Sequence, residues 1–454
     1  SISPLTVSVG SAFTFNQTDV IIPETVTYNG FTYTVTGVIT QGFQNRSTLT
    51  NITLPNTMKT IGVNAFNNCS NLISVNIPSA VTVISENAFN NCRNLTSATI
   101  SDTVANPSLL TTIGSSAFSY CTQLTTFTLP NSLTSIGTYA FDGCSSLTAM
   151  VVPNTITNLE EGTFSYCTGL TSISLPNSLL SIGRFALDSC SSLPAIDIPN
   201  SVTTIGYGSF YGCTSLTTLV VPNSVTTIGD YAFEACSGVT SFTLPNTISA
   251  IGIGVFDGCS SLTSIEIPTT VTTIGNIAFR NCSSLTTINI PISVTTIGTS
   301  VFQNCTSLTS VTVNWLTPLS INANVFQNVP VVYVALYVPT GTESLYDATP
   351  VWTDFINITT ALSATQSQTD VTCFNGTDGN ATVVTSGGIA PITYAWLPTG
   401  GNNATASGLA AGNYTCTITD AVGSELIKSF EITQPASIIP TFTQVDPICS
   451  GATL

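Results

Sequence analysis

Residues 259–275 read CSSLTSIEIPTTVTTIG, and their apolar positions predict two short elements. After Leu262, the run Ile265, Glu266, Ile267 alternates apolar and polar, the period-two pattern of a strand with one buried face. Pro268 stops that strand, because it has no N–H to give a ladder. Beyond it, Val271, Ile274 and Phe279 fall inward around Gly275, which permits a tight bend. Each copy therefore predicts one strand and one return segment. The copies begin on cysteines at 69, 92, 121, 144, 167, 190, 213, 236, 259, 282 and 305, every step being 23 residues except the 29 from Cys92 to Cys121. A fixed period in this range predicts a solenoid: one copy cannot bury its apolar side, but stacked copies share a continuous core. About thirteen copies, at about 4.8 Å per strand, would give a body roughly 60 Å long.

The cysteine column raises three possibilities. A zinc site needs about four converging ligands, whereas stacked thiols point one way, and the chain has no histidine. Disulfides between neighbouring coils suit the backbone spacing, but parallel side chains hold their Cβ atoms too far apart, and eleven thiols cannot all pair. The position is held by Arg46 in the first copy and Val329 in the last. A site that accepts valine at an end reads as a small buried core position. Free buried thiols are the expectation, with some disulfides as the alternative.

Composition narrows the function. The net charge of −16 comes from 22 acidic and only 6 basic side chains, so Ser, Thr and Asn must cover the surface. That excludes nucleic acid, whose phosphates demand a basic footprint, and an anionic lipid surface. No apolar run reaches the roughly 18 to 20 residues of a membrane helix, so direct membrane insertion is not expected. The sequence begins at Ser1, without Met or a leader, and reads as a mature exported form. Without histidine the Ser-His-Asp and Cys-His arrangements are impossible, and no Gly-rich loop opens a helix to hold phosphate. Glu160 and Glu161 are adjacent but lack the context of a glycosidase pair. The expectation is a protein that is no enzyme, with no cofactor and no metal.

Two surfaces carry candidate chemistry. The strand residues flanking each inward position, such as Ala195/Asp197, Thr218/Val220 and Ser264/Glu266, should line an open face that is small and hydroxylated. It lacks the large anchors of protein hot spots, so it reads as a solvated face, or as a modest site around Asp197, Val220 and Glu266. Aromatic residues gather instead in the return segments, at Tyr120, Tyr139, Tyr166, Phe185, Tyr207, Tyr211 and Tyr231, beside Asp142, Glu160, Glu161, Asp188, Asp230 and Glu234. Tyrosine with carboxylate can stack on sugars and bond their hydroxyls, or anchor a partner protein. The same residues can also serve only to stiffen the convex side.

After Ile358 the period vanishes, and short β-rich runs alternate with turns from 362 to 435. Their spacing predicts a β-sandwich. Trp396 on a central strand and Tyr414 two residues before Cys416 resemble the immunoglobulin pattern of a core Trp and a tyrosine corner. Cys373 and Cys416 are a disulfide candidate, which a small extracellular module would benefit from.

The repeat resembles the leucine-rich repeats of the BspA-like class of bacterial surface proteins. The resemblance extends to FTYTVTGVITQGF at 31–43 as an opening segment and LYVPTGTESLYDATPVWTDFINI at 336–358 as a closing one, with Tyr346, Trp352 and Phe355 over the last core layer. VTCFNGTDGNATVVTSGGIAPITYAWLPTGGNNATASGLAAGNYTCTITDAVG, at 371–423, resembles the SprB-type repeat of gliding-motility adhesins in Bacteroidetes, departing from it at Ser424, where related repeats often carry a cysteine. The insertion between Cys92 and Cys121 contains Asp102-Thr103-Val104, similar to the acceptor used for O-glycosylation in that group, with Thr103 as the candidate.

The expected fold class is therefore β-rich: an N-terminal β cap at 1–30, a leucine-rich-repeat solenoid with C-terminal cap at 31–360, an Ig-like β-sandwich at 361–436, and the start of a further module at 437–454. The resemblance implies a secreted adhesin on the outer face of a Gram-negative envelope, with a protein or glycan as partner. Two alternatives are an accessory subunit docked on an outer-membrane gliding or type IX secretion complex, and the targeting region of a larger secreted enzyme.

Overall fold

The computed structural model describes residues 5–10, 17–421 and 423–437. Of the further module expected at 437–454, all but residue 437 lies outside them. Two compact units divide the chain, Ser1–Leu336 with Ser344–Ile356, and Tyr337–Glu343 with Asn357–Leu454.

In the first unit each 23-residue copy forms one coil. The alternating segment makes a parallel wall, in which Ser264–Glu266 pairs with Ser241–Thr243 on one side and Thr287–Ile290 on the other. The return segment makes a second, narrower one: Thr273–Ile274 pairs in parallel with Ala250–Ile251 and Thr296–Ile297. Tight turns close the third side. Val271, Ile274 and Phe279 are all fully buried.

In-register stacking turns each consensus letter into a column. Phenylalanine rings stack face to face from Phe43 through Phe164 with centroids 5.1 to 5.6 Å apart. A second stack runs from Phe210 to Phe326 at 5.3 to 5.9 Å. Leu187 separates the two.

The cysteines beside this column are free and buried. They do more than fill space. Each of the eleven thiols donates to the carbonyl of the Phe-column residue one coil back, over 3.0 to 3.3 Å. Cys282 Sγ, for example, reaches Phe256 O at 3.2 Å, the carbonyl that also accepts Cys259 N at 3.1 Å. The thiol thus satisfies the second lone pair of a buried oxygen and ties two coils together. Register survives the insertion: Cys121 reaches Phe89 O, 32 residues back instead of 26.

The first wall is not continuous: it thins at 126–128, where only a bridge from Ser97 to Thr126 is made, and breaks again further on. Most threonines in the register of Thr171 and Thr217 donate their backbone N–H to the residue 23 positions earlier, as Thr171 does to Thr148 O at 2.8 Å. Pro194 occupies that register in its coil and has no hydrogen to give. Residues 194–198 accordingly form no strand, and the wall stops after Ser172–Ser174 and resumes at Thr218–Val220. Leu187 stands just ahead of Cys190, at the junction with this coil, so wall and ring stack break close together.

The described part of the N-terminal cap extends both walls. Thr6–Val9 lies parallel to Phe31–Val38, and Asp19–Ile21 parallel to Asn51–Thr53. At the other end Tyr346, Trp352 and Phe355 are buried; the Trp352 and Phe355 rings meet Phe326 edge-on at 5.9 and 5.2 Å.

The second unit contains two three-stranded antiparallel sheets, Ser363–Thr369, Gly379–Ser386 and Thr405–Leu409 in one, Thr393–Leu397, Gly412–Thr419 and Glu425–Ile432 in the other. Trp396 belongs to an edge strand of its sheet, not a central one. It still anchors the core, its ring 5.2 Å from that of Phe430. Tyr414 Oη donates to Ala410 O at 3.1 Å, the geometry of a tyrosine corner. The disulfide expectation fails: Cys373 and Cys416 are both free. Alternation along Gly412–Thr419 sends Cys416 into the core between Tyr414 and Ile418, while Cys373 sits exposed in a turn. Ser424 has its own role: its hydroxyl donates to Tyr337 Oη at 2.8 Å, while Tyr337 Oη donates its one hydrogen to Asp420 Oδ2 at 2.7 Å.

Two predictions follow from the columns. Burial pushes the thiols up from 9.0, to about 12 for Cys69, Cys236 and Cys305. From pH 9 towards 12 the unfolded chain sheds protons that the folded chain keeps, so stability present below pH 9 should decline through that window. Iodoacetamide at pH 8 should label Cys373 but none of the eleven column cysteines until denaturant is added; fewer than about nine free thiols in denatured, unreduced protein would refute the free column. Secondly, amide exchange in the first wall should be fastest at residues 195–198, and Pro194→Thr should slow it by restoring the missing donor; uniform exchange along the wall would contradict this account.

Candidate functional site

Every coil has two turn positions with left-handed backbone. One immediately precedes the cysteine, the other lies four residues earlier. Asparagine and glycine adopt this conformation readily, and a bulky residue does so at a cost. At both ends of the solenoid the first column follows that rule. Asn68 Nδ2 donates to Asn45 Oδ1 at 3.0 Å and Asn91 to Asn68 at 2.8 Å; Asn304 donates to Asn281 at 2.7 Å and Asn328 to Asn304 at 2.8 Å. These ladders satisfy themselves.

The middle coils depart from them. Tyr120, Tyr139, Tyr166, Phe185 and Tyr231 occupy left-handed positions, with φ between 51° and 58°. Each ring needs room. A Cβ on Gly143 would come within 2.9 Å of the Tyr120 ring, and one on Gly208 or Gly254 within 2.5 Å of Phe185 or Tyr231; Gly162 has the same relation to Tyr139. Aromatic and small residues therefore alternate from coil to coil, the small one being glycine everywhere but at Ser189, after Tyr166.

Five of the seven aromatic candidates meet around one hollow of about 480 Å³: Tyr120, Tyr139, Tyr166, Phe185 and Tyr211, with Asp142, Ser165 and Asp188. Tyr120 and Tyr166 are 52% and 53% exposed, whereas Asp142 and Asp188 retain 8% and 7%. The rings thus form the walls and the carboxylates the floor. Ser119 Oγ donates to Asp142 at 3.2 Å, and Ser165 and Ser189 donate to Asp188 at 3.4 and 2.8 Å. Burial raises both carboxyl groups above the usual carboxylate range, the serine bonds opposing it. The negative charge of Asp188, ahead of burial, pushes the Tyr166 phenol up; Glu234 does the same to Tyr211. Tyr139 Oη donates to Glu161 at 2.8 Å.

Tyr207 and Tyr231 continue the row beyond the hollow, with edge-on ring contacts from Phe185 to Tyr207 at 5.2 Å and on to Tyr231 at 5.4 Å. The Arg184 guanidinium lies 5.2 Å from the Tyr207 centroid and 5.8 Å from that of Phe185. Sequence reasoning found the rings but missed Arg184, the Ser165 floor and the strained backbone. The aromatic-glycine alternation at fixed register was the available signal.

Asp197, Val220 and Glu266 lie on the open face. Asp197 and Val220 line a hollow of about 550 Å³ beside the wall break, and Glu266 lines a neighbouring one of about 350 Å³; Thr243 and Asn246 belong to both. Thr103 sits on the outward insertion loop, exposed, its Oγ1 accepting Asn106 N at 3.1 Å. Among the described residues no group of three or more Cys, Asp or Glu side chains could hold a metal, and no helix is long and apolar enough to cross a membrane.

Comparison with known proteins gives the family. The BspA type leucine rich repeat region matches residues 14–148, 111–240 and 228–345, and the SprB repeat matches residues 365–401, the first part of the sandwich. A solved leucine-rich repeat protein from Bacteroides ovatus is 29% identical, with a TM-score of 0.56, over 75% of this chain and 97% of its own. A leucine rich cell surface protein from Faecalibacterium prausnitzii is 27% identical, with a TM-score of 0.48, over 74% of this chain and 90% of its own. Among curated proteins none matches the chain. Both repeat types are those of cell-surface or secreted proteins. The chain belongs to the BspA-type leucine-rich repeat family and carries a SprB repeat behind its solenoid.

Proposed function

We propose that the chain is a secreted cell-surface adhesin, whose solenoid grips its ligand with the aromatic and carboxylate patch of the middle coils while the sandwich serves as a spacer. One observation carries this reading. In the column before the cysteine, the ends of the solenoid use self-satisfying Asn ladders where the middle uses strained tyrosines, and these gather with the left-handed Tyr139 and Phe185 around one hollow. Such strain persists where it serves a function, and fold stability alone would have replaced it. The SprB repeat supports display with the gliding or type IX export machinery of a Gram-negative cell, and Thr103 is the loop hydroxyl best placed for O-glycosylation. No catalytic role is assigned to the patch, because its carboxylates face hydroxyls, not a nucleophile or general base.

A second reading places binding on the open face, where the Pro194 break opens the hollow beside Asp197 and Val220. The two are separable by mutation. Tyr166→Asn restores the residue type that the backbone prefers, so it should stabilise the solenoid by about 1 kcal/mol while weakening capture of cells or matrix about tenfold. Thermal melting and a surface-capture assay on the full chain check both halves. Unchanged capture by Tyr166→Asn, with loss in Asp197→Asn, would move the site to the open face.

A further inference from the structure

The patch repeats every two coils, not every one. Tyr120 and Tyr166 stand two coils apart in one column, and Tyr139, Phe185 and Tyr231 stand two apart in the other. The floor keeps the same beat, running Ser119, Asp142, Ser165, Asp188. Strand spacing of about 4.8 Å would make this period about 10 Å, and in these coils equivalent rings step by 5.5 Å from Phe118 to Phe141 and 5.6 Å from Phe141 to Phe164.

We propose that the hollow receives a basic, proline-rich segment of a partner protein, lying along the solenoid axis as a polyproline II helix. This deepens the adhesin reading and rests on the middle-coil patch being the binding surface. Three features support it. A polyproline II helix completes one turn in three residues, or about 9.3 Å, which comes nearer to the two-coil step than the repeat of an extended strand does. An extended strand, whose like-facing residues recur about every 6.8 Å, falls out of step within two repeats. Secondly, exposed tyrosines alternating along a groove suit this ligand: rings pack against pyrrolidines, and hydroxyls donate to the exposed carbonyls of a backbone that cannot pair with itself.

Charge is the third feature. Asp142 and Asp188 meet only hydroxyls, on a chain with 22 acidic and 6 basic side chains. A cation from the ligand would complete them. Arg184, stacked between Phe185 and Tyr207, shows that this aromatic row already accepts a guanidinium.

Fluorescence anisotropy with the full chain tests this, using labelled peptides of repeated Pro-Pro-Arg and repeated Gly-Ser-Arg with equal length and charge. The proline peptide should bind at least about tenfold tighter, and Tyr166→Asn or Asp188→Asn should each cost about tenfold of that affinity. Melting of each variant confirms its fold. Equal affinity for the two peptides would reduce the interaction to charge alone and overturn the proposal. So would proline-peptide binding that neither variant weakens, or binding of a cello-oligosaccharide in place of the peptides. If neither peptide binds but Tyr166→Asn still loses surface capture, the patch stands as the adhesive surface and only its ligand class is refuted.

Discussion

Parallel, in-register stacking governs this molecule. Each coil must hand its backbone groups to the next at the same positions, so every side chain meets its own equivalent one coil away, at about 5 Å. Residues that attract their own kind prosper under that rule. Phenylalanines form ring stacks, asparagines form amide ladders, and threonines on the wall donate to the carbonyl one coil back, as Thr263 Oγ1 does to Thr240 O at 3.1 Å. Cysteine suits its column because it is small, apolar enough to bury, and still carries a weak donor for the Phe-column carbonyl.

The same rule explains the strained tyrosines. Coil geometry, not local sequence, fixes the left-handed positions, so a residue there cannot relax without breaking hydrogen bonds on both sides. Tyr166 N, for instance, donates to Asp188 O at 2.7 Å. Because a solenoid's stability is distributed over nearest-neighbour interfaces, strain in the middle is held by well-formed coils above and below. Nearer the ends fewer coils stand on one side to share that strain, and there the chain uses Asn45, Asn68 and Asn304 instead.

How much of this was legible follows from how local each feature is. The 23-residue period, the inward Val271, Ile274 and Phe279 and the aromatic row are properties of the sequence, and reading them required no contact information. The carboxylate floor was not legible, because Asp142 and Asp188 become neighbours only when Ser165 is stacked between them. The wall break at Pro194 could have been read, since one proline stands in a threonine column. The pairing of Cys373 with Cys416 was misjudged because strand register, invisible beforehand, decides which side of a sandwich strand faces the core.

Charge completes the argument about the two-coil beat. Like charges in adjacent coils would repel by roughly 3 kcal/mol at an effective dielectric of about 20, and by about half that two coils apart. This disfavours a charged residue in any consensus column and accounts for a chain only 6% charged. It fits the serine between Asp142 and Asp188; where the same column does place Glu234 next to Asp257, the following coil supplies Arg280, which pairs with Asp257 and offsets the repulsion felt by Glu234. The rings alternate for a separate reason, since Tyr120, Tyr139, Phe185 and Tyr231 each cover the Cβ position of the next coil and leave glycine as neighbour, while Tyr166 is followed by the small Ser189. Two independent constraints, one electrostatic and one steric, thus impose the same spacing on walls and floor. Whatever occupies the groove must conform to that spacing. A ligand whose own chemistry recurs at a spacing near two coils conforms with little distortion, whereas one with the shorter repeat of an extended strand would meet a ring or a carboxylate out of phase.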